Sequence, residues 1–179
     1  MSRLRTYQRE VARRISTEIT DTAIQPVSLS EAKGYANFDG NLKDIEFDTL
    51  INESLKAFEN FTGKLMFRRN VTATFECEGE SLMILPYLPV VEIVSVQSGG
   101  EDVEYTLKGD RINVNAVGEV EVVYKCGLFE SQAENDVKLG CLKFINSNFE
   151  DKQDMAAMSI TEMPNNSRSH WMRYKNFSL

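Results

Sequence analysis

The chain has 179 residues, 42% hydrophobic and 26% charged, with a net charge of −7, the composition of a globular domain with a sizeable core. No apolar run approaches the ~20 residues that cross a bilayer, and the basic start MSRLRTYQREVARR lacks the apolar centre of a secretory signal, so a chain kept in a reducing cytoplasm with no membrane partner is expected. Charge is unevenly spread: residues 26–154 hold twelve bases against twenty-three acids (−11), whereas residues 1–25 and 155–179 are each +2, which argues against a basic nucleic-acid groove in the body.

Residues 1–25 read as a basic arm in which Arg3, Arg5, Arg9, Arg13 and Arg14 reach for other surfaces. A loose end that happens to be basic is the plain alternative. The first clear element starts at PVSLSEAKGY, where Ser28 and Glu31 have the spacing of a capping box, with Val27 and Ala32 placed as a hydrophobic staple. A short helix over 28–36 is expected, stopped by the turn cluster Asn37, Asp39, Gly40 and Asn41. A longer helix over 44–62 follows, because Phe47, Leu50, Ile51, Leu55, Phe58 and Phe61 recur at spacings of three and four. Gly63 sits where a left-handed cap would end it.

From Arg68 the period changes from helical to alternating. Val71, Ala73, Phe75 and Cys77 share one strand face, and Leu82 with Ile84 starts a second short strand before Pro86 and Pro89. VVEIVSV at 90–96 is a β-branched strand, and Val103, Tyr105 and Leu107 alternate after the turn at Ser98–Glu101. Ile112 and Val114 follow the Gly109-Asp110 turn, and the last strand, EVEVVYKCG, comes after Gly118. Six short strands over 68–127 predict a small antiparallel sheet or barrel. A third helix over 136–152 then carries Val137, Cys141, Phe144, Ile145, Asn148 and Phe149 on one face. The fold class expected is α+β: a helical bundle, with the helices ending at Thr62 and Lys152 packed together, an inserted small β-sheet or barrel, and extended N- and C-terminal arms.

The last stretch, 155–179, is broken by Pro164 and the run Asn165-Asn166-Ser167. Trp171, Tyr174 and Phe177 recur every three residues among Arg168, Arg173 and Lys175, the composition of an interface anchor. This tail is expected to contribute little to the core, so that its deletion leaves the monomer folded.

Chemistry finds little footing. His170 is the one histidine, and it falls in that tail, so a Ser-His-Asp or Cys-His site has no scaffolded base. Cys77, Cys126 and Cys141 show no C-x-x-C spacing and lie in apolar patterns, which suits buried side chains better than a zinc site. Neither a phosphate-binding glycine loop nor an H-E-x-x-H helix occurs. Glu76, Glu78 and Glu80 alternate along a strand and turn, as a solvated acidic face does. No enzyme, cofactor or metal is expected.

Several segments in order resemble the head–tail connector (adaptor, or head-completion) family of tailed bacteriophages. PVSLSEAKGYANFD, an acidic turn and a helix ending in ENFTGKLMFRR resemble its opening helices; LPYLPVVEIVSV resembles its proline-flanked strand. YTLKGDRINV and VEVVYKCGL are similar to the strands that end in its Tyr-x-x-Gly turn, NDVKLGCLKFINSNFEDK to its C-terminal helix, and MPNNSRSHWMRYKNF to its basic-aromatic ending. The likeness covers residues 26–177. It departs in the longer arm, 1–25, and in the missing proline at the start of the helix after Asn135.

The resemblance implies a virion protein, made in the host cytoplasm and placed in the neck. It implies a ring of neighbouring copies, with the portal's twelvefold symmetry, between the portal protein and the next neck or tail protein. Packaged DNA would pass through the lumen without specific binding, as an acidic wall repels phosphates. Docking on the portal falls to the tail residues Met163, Pro164, Arg168, Trp171, Arg173, Tyr174, Lys175 and Phe177. The rival readings are another neck component (a stopper or tail-completion protein), a nucleic-acid-binding regulator using the arginine-rich arm, and an enzyme working with carboxylates alone.

Overall fold

The computed structural model describes residues 10–22, 24–154 and 165–175. The chain divides into two compact units, Met1–Thr22 with Arg68–Gly127, and Ala23–Phe67 with Leu128–Leu179. The first is β, the second helical, and the chain is α+β as its patterning predicts.

The helical unit holds α1 (Leu29–Tyr35), α2 (Asp44–Thr62), α3 (Asn135–Asp154) and α4 (Asn165–Trp171), the last running into a 3₁₀ turn at Met172–Tyr174. The capping box at α1 forms as expected: Glu31 N–H donates to Ser28 Oγ at 3.2 Å, and Ser28 N–H donates to Glu31 Oε2 at 2.7 Å. The Ser28 N–H and the Ser28 hydroxyl, which donates to Glu31 Oε2 at 2.9 Å, hold the Glu31 carboxyl below its usual range, with Lys138 nearby adding to the effect. Replacing Ser28 with Ala should cost about 1 kcal/mol, read as a lower urea midpoint with unchanged slope.

Helix α2 has no side-chain cap at Lys43, but Asp44 and Glu46 in its first turn favour the helix dipole, and Gly63 closes it in the left-handed conformation. Its stripe meets the stripe of α3. The Phe47 and Phe149 rings stack with centroids 4.5 Å apart, and Phe38 lies 5.6 Å from both. After the β-segment, the chain re-enters this unit by laying Leu128 and Phe129 beside Leu65 and Met66, through N–H bonds of 3.0 and 2.9 Å.

The β unit is one seven-stranded sheet: β1 (Glu10–Val11), β2 (Arg13–Ile19), β3 (Arg69–Ile84), β4 (Val90–Ser98), β5 (Glu101–Asp102), β6 (Tyr105–Lys108) and β7 (Arg111–Cys126). Two expectations change here. Strands β3 and β7 are each 16 residues long and pair without a break, from Arg69 opposite Cys126 to Ile84 opposite Arg111. Gly79 (φ +114°) and Gly118 (φ +95°) lie near one another in this ladder and bend it instead of ending strands. The buried parity runs through the bend, from Val71 and Phe75 to Met83, so Met83 is buried where Ile84 is exposed.

The second change concerns the N-terminal arm. Residues 10–19 are strands: β2 pairs antiparallel with β3 from Arg13 opposite Glu76 to Ile19 opposite Val71, and β1 pairs parallel with it at Ser81 and Leu82. A strand as long as β3 leaves a long row of unpaired donors and acceptors on its outer edge, and this segment satisfies them. The sheet is therefore mixed.

Candidate assembly surfaces

The tail residues 165–175 do not stand off the core, contrary to expectation. Trp171 is fully buried in the helical unit's hydrophobic cluster. Its ring meets Phe58 edge-on, with centroids 5.6 Å apart at 84°, lies 6.3 Å from Phe144, and its indole N–H donates to Val137 O at 3.3 Å. Gly140 makes room for it, since a Cβ there would run into the indole. The physical reason is plain: an indole gains more from an apolar slot on α3 than from water.

Polar groups fasten the same helix. His170 Nδ1 lies 2.5 Å from Asp136 Oδ1, and its Nε2 lies 2.8 Å from Lys143 Nζ, so α3 engages both ring nitrogens. Arg173 pairs with Glu134 and sits 3.8 Å from Asp136, while Tyr174 Oη donates to Glu134 at 2.9 Å. Burial and the Glu134 carboxylate push the Tyr174 hydroxyl up, so it stays a donor. Lys175 Nζ lies 4.8 Å from the Phe61 ring centre. Sequence reasoning missed the receiving groups, Glu134, Asp136, Gly140 and Lys143. A glycine inside an amphipathic helix was the one available signal.

Of the proposed docking residues, Arg168, Arg173 and Lys175 are exposed, Tyr174 is half-buried and Trp171 is inaccessible. Met163, Pro164 and Phe177 lie outside the described residues, as do Arg3, Arg5 and Arg9 of the arm. Arg13 and Arg14 fall on β2, both exposed, and Arg13 Nη2 reaches Glu76 Oε2 at 3.1 Å.

Register explains the acidic face of the sheet. Glu76 stands opposite Glu119, and Glu121 opposite Thr74, with Glu78 beyond; all four glutamates are exposed. Like charges directly opposite destabilise a sheet; Arg13 on β2 offsets Glu76, and Glu78, Glu119 and Glu121 leave the face acidic. The other face buries Val71, Phe75, Val122 and Tyr124, whose hydroxyl accepts from Tyr87 N–H at 3.3 Å. Among the described residues, no group of three or more His, Cys, Asp or Glu could hold a metal, and no helix is long and apolar enough to cross a membrane.

No family profile matches the chain, and no curated protein sequence does. Solved structures do. A chain from the neck of an empty GTA particle, computed with C6 symmetry, superposes with a TM-score of 0.69 at 14% identity, over 92% of this chain and 97% of that one. A chain of the native gene transfer agent (GTA) virion gives 0.67 at 15%, with the same coverage. One from the native GTA neck, computed with C12 symmetry, gives 0.65 at 15%, over 90% and 97%.

The chain has the fold of a gene transfer agent neck protein.

Within this neck fold the three cysteines are buried free thiols. Burial pushes the Cys77 thiol up, and the Cys141 thiol up to about 12. A thiol reagent at pH 8 should therefore leave the native chain unlabelled and modify all three sites in denaturant. Rapid native labelling of Cys141 would contradict its buried place on the face of α3 that meets α2.

Proposed function

We propose that this chain is a structural, non-catalytic neck protein of a tailed, phage-like particle. In this reading it forms the adaptor ring between the portal and the tail, with DNA leaving through its lumen. The observation that carries the reading is the likeness to neck chains over nearly the whole length of both partners. The order of motifs along the sequence supports the adaptor position over other neck components.

Each surface then has a task. The glutamate face of the sheet suits a conduit wall, because it repels phosphates and lets the genome slide. Portal docking rests with the exposed bases Arg168, Arg173 and Lys175 and with Met163, Pro164 and Phe177. Trp171 supports that surface from beneath and does not itself touch the portal. Neighbouring copies, and the next neck or tail protein, take the remaining surfaces.

The full chain should bind duplex DNA weakly at ~0.15 M salt and lose that binding as salt rises. Changing Arg3, Arg5 and Arg9 to Gln should remove what binding there is. Tight binding that these changes abolish would favour the regulator reading, and tight binding that survives them would contradict the conduit wall. The reading itself is tested by loss of the gene: cells should then accumulate heads without tails, and supplying the chain should restore complete particles. Complete tailed particles formed in its absence would refute it.

A further inference from the structure

Two features of the helical unit have no role in the surfaces described so far. Leu42 is 98% exposed and Ile45 is 85% exposed, three residues apart where the α1–α2 turn enters α2. Two ion pairs flank them: Lys33 Nζ lies 2.6 Å from Asp44 Oδ1, and Lys43 Nζ lies 2.9 Å from Glu46 Oε2. The second feature is a cleft of about 350 Å³ walled by Ile24, Pro26, Val27 and Phe67, with Gln132 and Lys138 at its rim. Lys138 is itself 3.6 Å from Glu31. Helix α1 borders both the cleft and the hollow beside the α1–α2 turn. Its Ser28 and Glu31 face the cleft, whereas Ser30, Lys33 and Gly34 line the hollow next to Asn41 and Asp44.

We propose that Leu42 and Ile45 of one copy seat in this cleft of the next copy, making the contact that repeats around the ring. The inference rests on the ring reading above and names its self-interface. A second copy is the fitting occupant for two reasons. A ring is closed by a heterologous contact, in which two unlike patches of the same chain meet, and the cleft and the Leu42–Ile45 patch share no residue. Each patch also offers an apolar centre beside side chains already paired within their own copy, Lys33–Asp44 and Lys43–Glu46 at the first and Lys138–Glu31 at the cleft. A nucleic acid or a strongly charged peptide would find nothing there to pair with.

The test uses the full chain, alone at high concentration and in assembled particles. The double variant Leu42→Asp with Ile45→Asp should melt like the parent, because both side chains are exposed, yet self-associate at least tenfold more weakly. A second variant pairs Leu42→Cys with Gln132→Cys against a control with Leu42→Cys and Glu150→Cys, the native thiols being buried. Oxidation should link the first pair into a ladder of multimers and leave the control as single chains. Rings that form normally from the Asp variant, or that form without linking the Leu42–Gln132 pair, overturn the contact and leave the ring reading standing. A parent chain that forms no ring in either setting overturns both.

Discussion

Replacing Trp171 with Ala should destabilise the protein by about 3–5 kcal/mol, the cost of removing a large buried aromatic side chain. The indole is wholly buried between α2 and α3, fills the space left by Gly140, and donates to Val137 O. Its loss leaves a cavity against Phe58 and Phe144, and it frees the 3₁₀ turn that carries Arg173 and Tyr174. The variant should show a much lower urea midpoint with a nearly unchanged slope. Removing residues 155–179 should do more harm still, which reverses the expectation of an expendable tail. A Trp171→Ala protein that unfolds like the parent would mean that α4 is not seated on α3.

Phe58→Ala should cost a similar ~3–5 kcal/mol, since Phe58 is fully buried at the centre of the α2 stripe. The two losses should not add. Phe58 and Trp171 share an edge-to-face contact with centroids 5.6 Å apart, and contacting residues commonly show coupling of about 0.5–3 kcal/mol. The double variant should therefore lose less than the sum of the single changes. Full additivity would place the tail away from α2. The cycle reads tail docking, because the Phe58 ring meets the Trp171 and Tyr174 rings.

The helices were legible because their signals are local. The spacing of Phe47, Leu50, Ile51, Leu55 and Phe58 fixes the buried face of α2, and Ser28 with Glu31 marks the start of α1 within a single turn. The sheet was legible in its alternation but not in its breaks. Gly79 and Gly118 carry the positive φ of a turn, yet in this ladder they bend paired strands, and only the partner strand tells the two uses apart. Arg13-Arg14-Ile-Ser-Thr-Glu-Ile19 alternates as a strand should, but its charge drew it into the arm.

The tail failed for a different reason. Trp171, Tyr174 and Phe177 recur every three residues, which reads as an exposed cluster, while the slot that receives Trp171 is written some thirty residues earlier, at Val137 and Gly140. Nothing in the tail itself encodes that slot. The candidate interaction surface was correspondingly half legible: the bases Arg168, Arg173 and Lys175 are exposed as expected, but the residue expected to lead them holds the fold together. Leu42 and Ile45 drew no notice either, because one falls in a turn cluster and the other off the apolar stripe.

A cryo-EM map of particles purified from cells that make the chain tests most directly whether it is a ring component of a particle neck. The expected result is a closed ring of identical copies between head and tail, each fitting the helical and β units, with the glutamate face of the sheet turned to the channel. Density for the chain elsewhere in the particle, or intact particles that lack it altogether, would contradict the account.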